Sequence, residues 1–451
     1  MMIGTAAIAK KTSDAPSPKA SVAQAAPAPA SSTPASPLLL TPAQVDFQRN
    51  RVPPPAGGST GAALAASATL EDVIRTAVAR YPSIESARAT RDAAHFDVAS
   101  ARAGHFPSVT FNGQRRIVGT ATNLTQPQLN LNLYASGAIE AGVEREQWRE
   151  HSLSSTLAAT REDVAYEAAA AWFRLYRATT IQAANLRNLE RHSRLVEDFA
   201  AIASIDTGRR YDLIQARSRT EQVRQTATTG EAEIASARAV LARFYPRPVD
   251  LAALMPPPEL PDPPLPGDDT LIQHPNVEAA RRSLLSAEAH ARATRAARGP
   301  RLDLAATTGA YSSTVLQFSW PAFDLARTAA EDSAGAALAG ARAAVQEQEL
   351  IVRERQQTAF QAWRAAMDRE KVAVGQVAAS NELVDVYRQQ FQIGRRNLLD
   401  LLNAFAELYS AEASRDAARV DRAAARYQLE YAAGRLSTVF DRPSDGTLLP
   451  K

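Results

Sequence analysis

Apolar and polar residues along this chain follow two periods, and the change from one period to the other occurs twice in the same order. From Thr69 onward, apolar residues recur with helical spacing as far as a Gly-His-Phe-Pro break at residues 104–107. Beyond this break the spacing changes to two, because the segment 128–134 places leucines on one face and Gln or Asn on the other. The pattern predicts a helix followed by a hairpin of two amphipathic strands within residues 107–135.

The second half of the chain repeats this order. A helix is predicted from about Thr270 to Gly299, and Leu316 and Phe318 then alternate with polar residues in a second hairpin within residues 300–323. Strands of about ten residues with a single apolar face are typical of membrane-spanning β-strands. A hairpin that packs on helices in a soluble domain alternates equally well, so both interpretations are open at this point.

The longest helical patterns lie between these hairpins and two Gly-Arg-Arg motifs. Residues 138–204 and 325–392 contain no proline and predict uninterrupted helices of roughly 100 Å each. Shorter helices over about 211–245 and 397–436 return from the motifs. Helices of this length do not fit inside a compact domain. The chain is therefore predicted to form long helical hairpins in a coiled-coil-like assembly.

The two halves also align in sequence. Residues 81–113 align without gaps on residues 274–306, and two pairs of prolines match, namely Pro82 with Pro275 and Pro107 with Pro300. Matched prolines at both ends of a helical stretch carry more weight than shared alanines, which composition alone supplies. An internal two-fold duplication is predicted, with one repeat over 67–245 and the other over 267–440.

Proline separates these repeats from the remaining chain. The 27 prolines concentrate in residues 1–58 and 246–266. The Ala/Pro/Ser-rich segment 1–66 buries too little apolar surface to fold and is expected to be disordered. Residues 246–266 are predicted to be a semi-rigid, polyproline-type linker, and residues 441–451 a tail.

The first nine residues bear on the cellular compartment. Residues 1–9 end in Ala-Ile-Ala, which has the small-x-small form of a signal-peptidase site, but a basic start and a longer apolar stretch are missing. Two interpretations follow. The segment is the remnant of an export signal whose start is truncated or mis-assigned, or it is an ordinary disordered N-terminus.

Composition narrows the functional class. The absence of cysteine excludes disulfides, cysteine-ligated metals and a lipidated N-terminal cysteine. The 51 basic and 48 acidic residues interleave and leave a net charge of +3, unlike a nucleic-acid-binding surface. The six histidines form no ligand-spaced pair, and no phosphate-binding loop is present. We expect no catalytic site, no metal and no cofactor, and hence no enzyme. No apolar run approaches the roughly 18–20 residues of a membrane-spanning helix.

Four short stretches, in this order, carry a family resemblance: residues 69–72 leading to Tyr81-Pro82, residues 101–107, residues 394–404 and residues 433–436. On these stretches the sequence resembles the TolC-like outer membrane efflux protein family across about 67–440. The resemblance implies a mainly α-helical homotrimer with a membrane β-barrel part. Each protomer would contribute four strands to one shared barrel in the outer membrane, and the long helical hairpins would form a periplasmic α-barrel.

The implied function is that of an export duct rather than an enzyme. Its implied partners are outer membrane lipid, a periplasmic adaptor protein and an inner-membrane transporter of the ABC or RND type, without nucleic acid. The strands agree independently with oligomerisation, because an open four-stranded sheet in lipid leaves unpaired backbone groups at its edges.

The resemblance also implies a gate at the periplasmic end and an adaptor-contact surface. Asp400 matches an acidic ring position, and Asn403 occupies the second acidic position, which weakens the negative ring. Arg396 matches a closing arginine, Asp212 matches its acidic partner, and Phe391 stands where a tyrosine often lies. The adaptor-contact turns are implied at four residues: Gly208, Arg209, Gly394 and Arg395.

The alternative for the gate is that both aspartates stabilise helix N-termini through the helix dipole while the arginines are solvated. At the level of the whole protein, the run at residues 206–213 resembles members that serve type I protein secretion more than members that export drugs. Multidrug or small-molecule efflux is the alternative within the family. A soluble structural coiled-coil protein is the alternative from a different class.

Overall fold

The computed structural model describes residues 69–115, 123–263, 267–308 and 312–441. These residues belong to one structural unit of the chain, Ala62–Lys451. The predicted disordered segment 1–66, the signal-peptide remnant at residues 1–9 and the tail after residue 441 lie outside the described residues.

The described chain is predominantly helical, and the element order of its first half recurs in the second. The first half contains α1 (Leu70–Arg80), α2 (Pro82–Ala103), α3 (Ala138–Ile205) and α4 (Arg210–Ala242). The second half contains α5 (Asp268–Ile272), α6 (Pro275–Ala296), α7 (Leu325–Gln392) and α8 (Leu398–Ala432). Within the described residues, no helix combines the length and the apolar character needed to cross a membrane.

The predicted opening helix of each half is divided at a proline, which corrects the single helices expected from about Thr69 and Thr270. Thr69 caps α1 as predicted, because its hydroxyl accepts a 3.1 Å hydrogen bond from the backbone N–H of Asp72. Tyr81 and His274 are extended, with ψ angles of 132° and 128°. A residue that precedes proline is driven out of the helical region, so α1 and α5 end before the prolines that start α2 and α6.

The two long helices match the predicted spans closely. Helices α3 and α7 contain 68 residues each, so each extends roughly 100 Å. Buried residues of α7 follow spacings of three, four and seven from Val352 to Val384, which is the repeat of a coiled-coil seam. Several of these buried positions are alanines, and small side chains let α8 pack closely against α7.

Helix α3 is central to the helical layer. Near the Gly-Arg-Arg motifs it lies between α4 and α8, and α8 in turn packs on α7. Towards the strands it lies between α2 and α6, and α6 packs on α7. The two long helices therefore run past two sets of shorter helices, one at each end.

Four antiparallel strands form one sheet in the order β1-β2-β3-β4. They are β1 (Ser108–Arg115), β2 (Asn123–Tyr134), β3 (Arg301–Thr307) and β4 (Ser313–Ser319). The register pairs Val109 with Leu129, Leu304 with both Leu131 and Leu316, and Leu302 with Phe318. Since paired residues share a face, these apolar side chains all lie on one side of the sheet.

The proline-rich segment, predicted to be a semi-rigid linker, packs against α8. Its described part, residues 246–263, is called the proline strap below. The Tyr427 hydroxyl donates a 3.0 Å hydrogen bond to the carbonyl of Pro258, and Arg426 donates two, of 3.0 and 2.8 Å, to the carbonyl of Pro261. The strap thus covers part of the main apolar core, whose largest fully buried side chain is Trp172.

Candidate functional site

The two Gly-Arg-Arg motifs form the turns that connect the long helices to their return helices. After α3, Asp206 accepts a 2.9 Å hydrogen bond from the backbone N–H of Gly208, and a short 3-10 turn leads into α4. After α7, Gly394 has a φ of +73°, a left-handed conformation that favours glycine. Asn397 then caps α8 by accepting a 2.9 Å hydrogen bond from the N–H of Asp400.

Arg396 is held by residues of its own hairpin. Its Nη1 lies 3.7 Å from Oδ2 of Asp400, and its Nε donates a 3.0 Å hydrogen bond to Gln390. Its guanidinium carbon lies 4.3 Å from the centre of the Tyr387 ring, within cation–π distance. Asp212 pairs instead with Arg209 at 3.4 Å. The Arg396–Asp212 pair implied by the family resemblance is therefore not formed within the chain.

Asp212 and Asp400 both lie in the first turn of a helix, α4 and α8 respectively. A carboxylate there interacts favourably with the positive end of the helix dipole. Each also has an arginine within 4.0 Å, three or four positions earlier in the sequence. The geometry thus satisfies the helix-stabilising interpretation, and it leaves both carboxylates partly exposed to solvent.

The remaining predicted gate residues differ in their surroundings. Asn403 is exposed on α8, one turn after Asp400. Phe391 is half-buried, and its ring centre lies 5.6 Å from that of Phe199. Phe391 belongs to an apolar cluster that joins α3, α7 and α8 around Phe199 and Phe405. It therefore packs between the two helical hairpins, in the apolar cluster next to the turns.

The predicted adaptor-contact residues are exposed at the two turns: Gly208, Arg209, Gly394 and Arg395. Large apolar side chains are exposed beside them. Ile205 is 90% exposed, Tyr211 72% and Ile393 66%. Exposed apolar side chains with arginines around them are typical of a protein-binding surface.

A polar seam that was not predicted from the sequence joins α3 and α8. Arg191 donates two hydrogen bonds, of 2.8 and 2.7 Å, to the two carboxylate oxygens of Glu412, and Arg187 donates one of 2.8 Å to Asp416. Burial raises the pKa of the Glu412 carboxyl, but the hydrogen bonds and charge of Arg191 outweigh burial and hold that pKa below its usual value. The sequence shows that Arg187 and Arg191 are four residues apart, and that Glu412 and Asp416 are too. It does not show that these arginines pair with these carboxylates.

The apolar face of the sheet is open. Val109, Phe111, Leu316 and Phe318 are 58–74% exposed. On the opposite face, polar side chains bond to one another: Asn112 donates to Gln128 at 3.0 Å, and Asn132 donates to Asp303 at 2.7 Å. An uncovered apolar face of this extent needs a lipid or protein partner.

No group of residues suited to a metal ion occurs in the described parts of the chain. The described chain therefore presents surfaces for binding: an apolar sheet face, two arginine-rich turns and the long helices between them.

Comparison with known proteins agrees with this architecture. The family model for the outer membrane efflux protein matches residues 267–435. The search of curated proteins finds no match. Among solved structures, the outer-membrane channel OprN has a TM-score of 0.71 and 21% identity, covering 81% of this chain and 89% of that chain.

Two further channels are similar to the same extent. The outer membrane protein VceC of Vibrio cholerae has a TM-score of 0.71 and 16% identity, with 81% of this chain and 96% of that chain covered. The MtrE outer membrane channel of Neisseria gonorrhoeae has a TM-score of 0.69 and 21% identity, with 81% and 88% covered. At these identities the similarity shows the fold.

Residues 267–435 thus match the outer membrane efflux protein family model, and the described chain has the fold of TolC-like outer membrane channels. The family resemblance predicted from the sequence is confirmed. Proteins of this family are conduits rather than enzymes, in agreement with the expectation from the motifs.

Proposed function

We propose that this protein is the outer membrane exit duct of a trans-envelope export system. Several copies form a passive conduit that extends from the outer membrane into the periplasm. The single observation that carries the proposal is the four-stranded sheet with one exposed apolar face and one hydrogen-bonded polar face. The apolar face suits lipid, and the polar face suits an aqueous lumen.

The sheet of one copy cannot be stable in lipid by itself. Its edge strands, β1 and β4, have free backbone groups on their outer sides, and such groups are costly in hydrocarbon. Pairing β1 of one copy with β4 of the next satisfies them. We propose that three copies close a shared barrel in this way, as the family resemblance implies.

The periplasmic end of the conduit is assigned to the turns. Three copies of Asp400 would form an acidic ring that favours cations, weakened by the neutral Asn403 one turn away. The exposed Ile205, Tyr211 and Ile393, together with the arginines of both motifs, would contact a periplasmic adaptor. The adaptor would connect the duct to an inner-membrane ABC or RND-type transporter, which supplies the energy.

We propose that the duct takes part in type I protein secretion, because the run at residues 206–213 resembles that of family members with this role. Small-molecule efflux is the second candidate, because the matched family model describes efflux proteins. Deleting the gene and measuring both secreted proteins and drug sensitivity separates the two. Loss of a secreted protein alone supports type I secretion, and drug sensitivity alone supports efflux.

The membrane assignment is tested by two neighbouring residues on opposite faces of β4. Leu316 lies on the apolar face and Gln317 on the polar face. Leu316→Arg places a charge in lipid, which costs about 2–4 kcal/mol near the bilayer centre. We expect this variant to be depleted from the outer membrane fraction and Gln317→Arg to remain there. Equal behaviour of the two variants would contradict a lipid-facing sheet.

A further inference from the structure

A cleft of about 410 Å³ lies between the proline strap and helices α3, α7 and α8, away from the turns and the sheet. Its apolar walls include Pro257 and Leu260 of the strap, Tyr176 of α3 and Trp363 of α7. This volume falls in the range of small-molecule sites, and flat aromatic and proline surfaces are typical of their walls.

Three arginines of α8 line the same cleft at spacings of three and four, so they share one face of the helix: Arg419, Arg422 and Arg426. Arg422 forms an ion pair of 2.6 Å with Glu370, and Arg426 forms one of 2.8 Å with Glu430. These carboxylates hold two of the guanidinium groups in place and balance their charges.

Donor capacity remains in the cleft after these pairs are counted. The side chain of Arg426 is only 9% exposed, yet its Nη1 has no hydrogen-bond partner among the described residues. Arg419 is exposed at the cleft and has neither an ion pair nor a hydrogen bond with the described part of the chain. The unpartnered Nη1 of Arg426 is shielded from solvent, so the exposed guanidinium of Arg419 is the donor that a ligand in the cleft can reach.

We propose that this cleft binds a small organic carboxylate with a flat aromatic body. The ring packs against Trp363 and the strap prolines. The carboxylate accepts charge-assisted hydrogen bonds from the exposed guanidinium of Arg419. Charge-assisted hydrogen bonds of this kind are stronger than neutral ones, so a carboxylate is preferred over an amide of the same shape.

Acidic residues of the strap also limit the affinity of the cleft for a carboxylate. Glu259 and Asp262 line the cleft with negative charge, and Glu259 lies 3.4 Å from Arg422. Asp262 has no partner among the described residues, so its charge opposes an incoming carboxylate. Removing that charge is expected to strengthen binding, which gives the proposal a variant that gains affinity.

The test uses the full chain in lipid nanodiscs and two probes, 2-naphthoate and the neutral 2-naphthamide, with binding measured by calorimetry and tryptophan fluorescence. We expect 2-naphthoate to bind about fivefold more tightly than 2-naphthamide. Arg419→Gln should abolish that preference, and Asp262→Asn should tighten 2-naphthoate binding about twofold. Arg217→Gln, an exposed arginine of α4, should change nothing.

The location is tested by Trp363→Phe, which should keep the affinity and lose most of the fluorescence quenching. Three results would overturn the proposal. They are equal affinity for the two probes, a preference that survives Arg419→Gln, and the absence of any binding, which would mean that another segment or copy fills the cleft.

Discussion

Arg191 of α3 and Glu412 of α8 are joined by two hydrogen bonds of 2.8 and 2.7 Å, although 221 positions separate them in the sequence. This pair connects the helical hairpin of the first half to that of the second. Both side chains are largely buried, with 22% and 12% exposure. The contact between the two halves therefore depends on polar pairing as well as on apolar packing.

Breaking this pair should destabilise the protein measurably. Arg191→Met leaves the Glu412 carboxylate partly buried without its partner, which should cost about 1–3 kcal/mol. The matched control is Arg194→Met, because Arg194 pairs with Glu190 on the exposed face of the same helix and such pairs contribute little. Thermal unfolding followed by circular dichroism measures both variants, and an equal decrease in the two midpoints would contradict the assignment.

The two buried histidines predict a loss of stability in acid. Burial lowers the pKa of His192 to about 4, helped by the charges of Arg191 and Arg219. Burial likewise lowers the pKa of His274 to about 4, with Arg355 adding to the effect. Because both pKa values are lower in the folded state, the unfolded state takes up protons first as the pH falls below 6.5.

The free energy of unfolding should therefore fall between pH 6.5 and pH 4, by on the order of 1–3 kcal/mol for each histidine. Unfolding midpoints across this range measure the slope, and His192→Gln should reduce it. His105→Gln, at an exposed position, is the control. A slope that His192→Gln leaves unchanged would show that this histidine does not govern acid stability.

A hydrogen-bond chain crosses three helices beside Gly230 of α4. Tyr409 donates a 2.7 Å hydrogen bond to Asn185, whose amide donates a 2.9 Å hydrogen bond to Gln182. Gln182 in turn donates a 3.0 Å hydrogen bond to the carbonyl of Ala227. A Cβ at position 230 would overlap Oε1 of Gln182 and lie 2.8 Å from Nδ2 of Asn185.

Gly230→Ala should therefore destabilise the protein by about 1–3 kcal/mol, in spite of the better helix propensity of alanine. Gly375→Ala is the matched control, because a Cβ there meets no atom within 4 Å. The control should be neutral or slightly stabilising. Denaturation midpoints of both variants measure this difference in stability. A Gly230→Ala protein as stable as the control would contradict the prediction, because the hydrogen-bond chain would then rearrange without loss of stability.

The role of Asp400 is separated from helix stabilisation by comparing it with Asp212. Both aspartates lie in the first turn of a helix, but only Asp400 is assigned to the acidic ring. Single-channel recordings of Asp400→Ala should show reduced cation preference, whereas Asp212→Ala should keep the selectivity. Unchanged selectivity in both variants would favour the helix-stabilising interpretation.

The long helices and the strands were accessible from the sequence because their periods are local. Spacings of 3.6 and 2 identified α3, α7 and the alternating faces of the sheet to within a few residues. The breaks at Pro82 and Pro275 were missed because apolar periodicity continues across them, although the proline itself signals the break.

The pairings between helices were not accessible in the same way. Which face of α3 meets α8 depends on the rotation and axial register of two helices that lie far apart in the sequence. The Arg191–Glu412 pair and the packing of the proline strap both follow from that register. Arg396, assigned to Asp212 by resemblance, instead has a local partner, Asp400, four positions later in the sequence.

The most direct test of the central claim is where the full chain resides in the cell and in what assembly. Inner and outer membranes are separated by density, and the protein extracted from each fraction is sized by light scattering. The account predicts an outer membrane protein with three times the mass of the 48.4 kDa chain. A monomer recovered in the soluble fraction would contradict it.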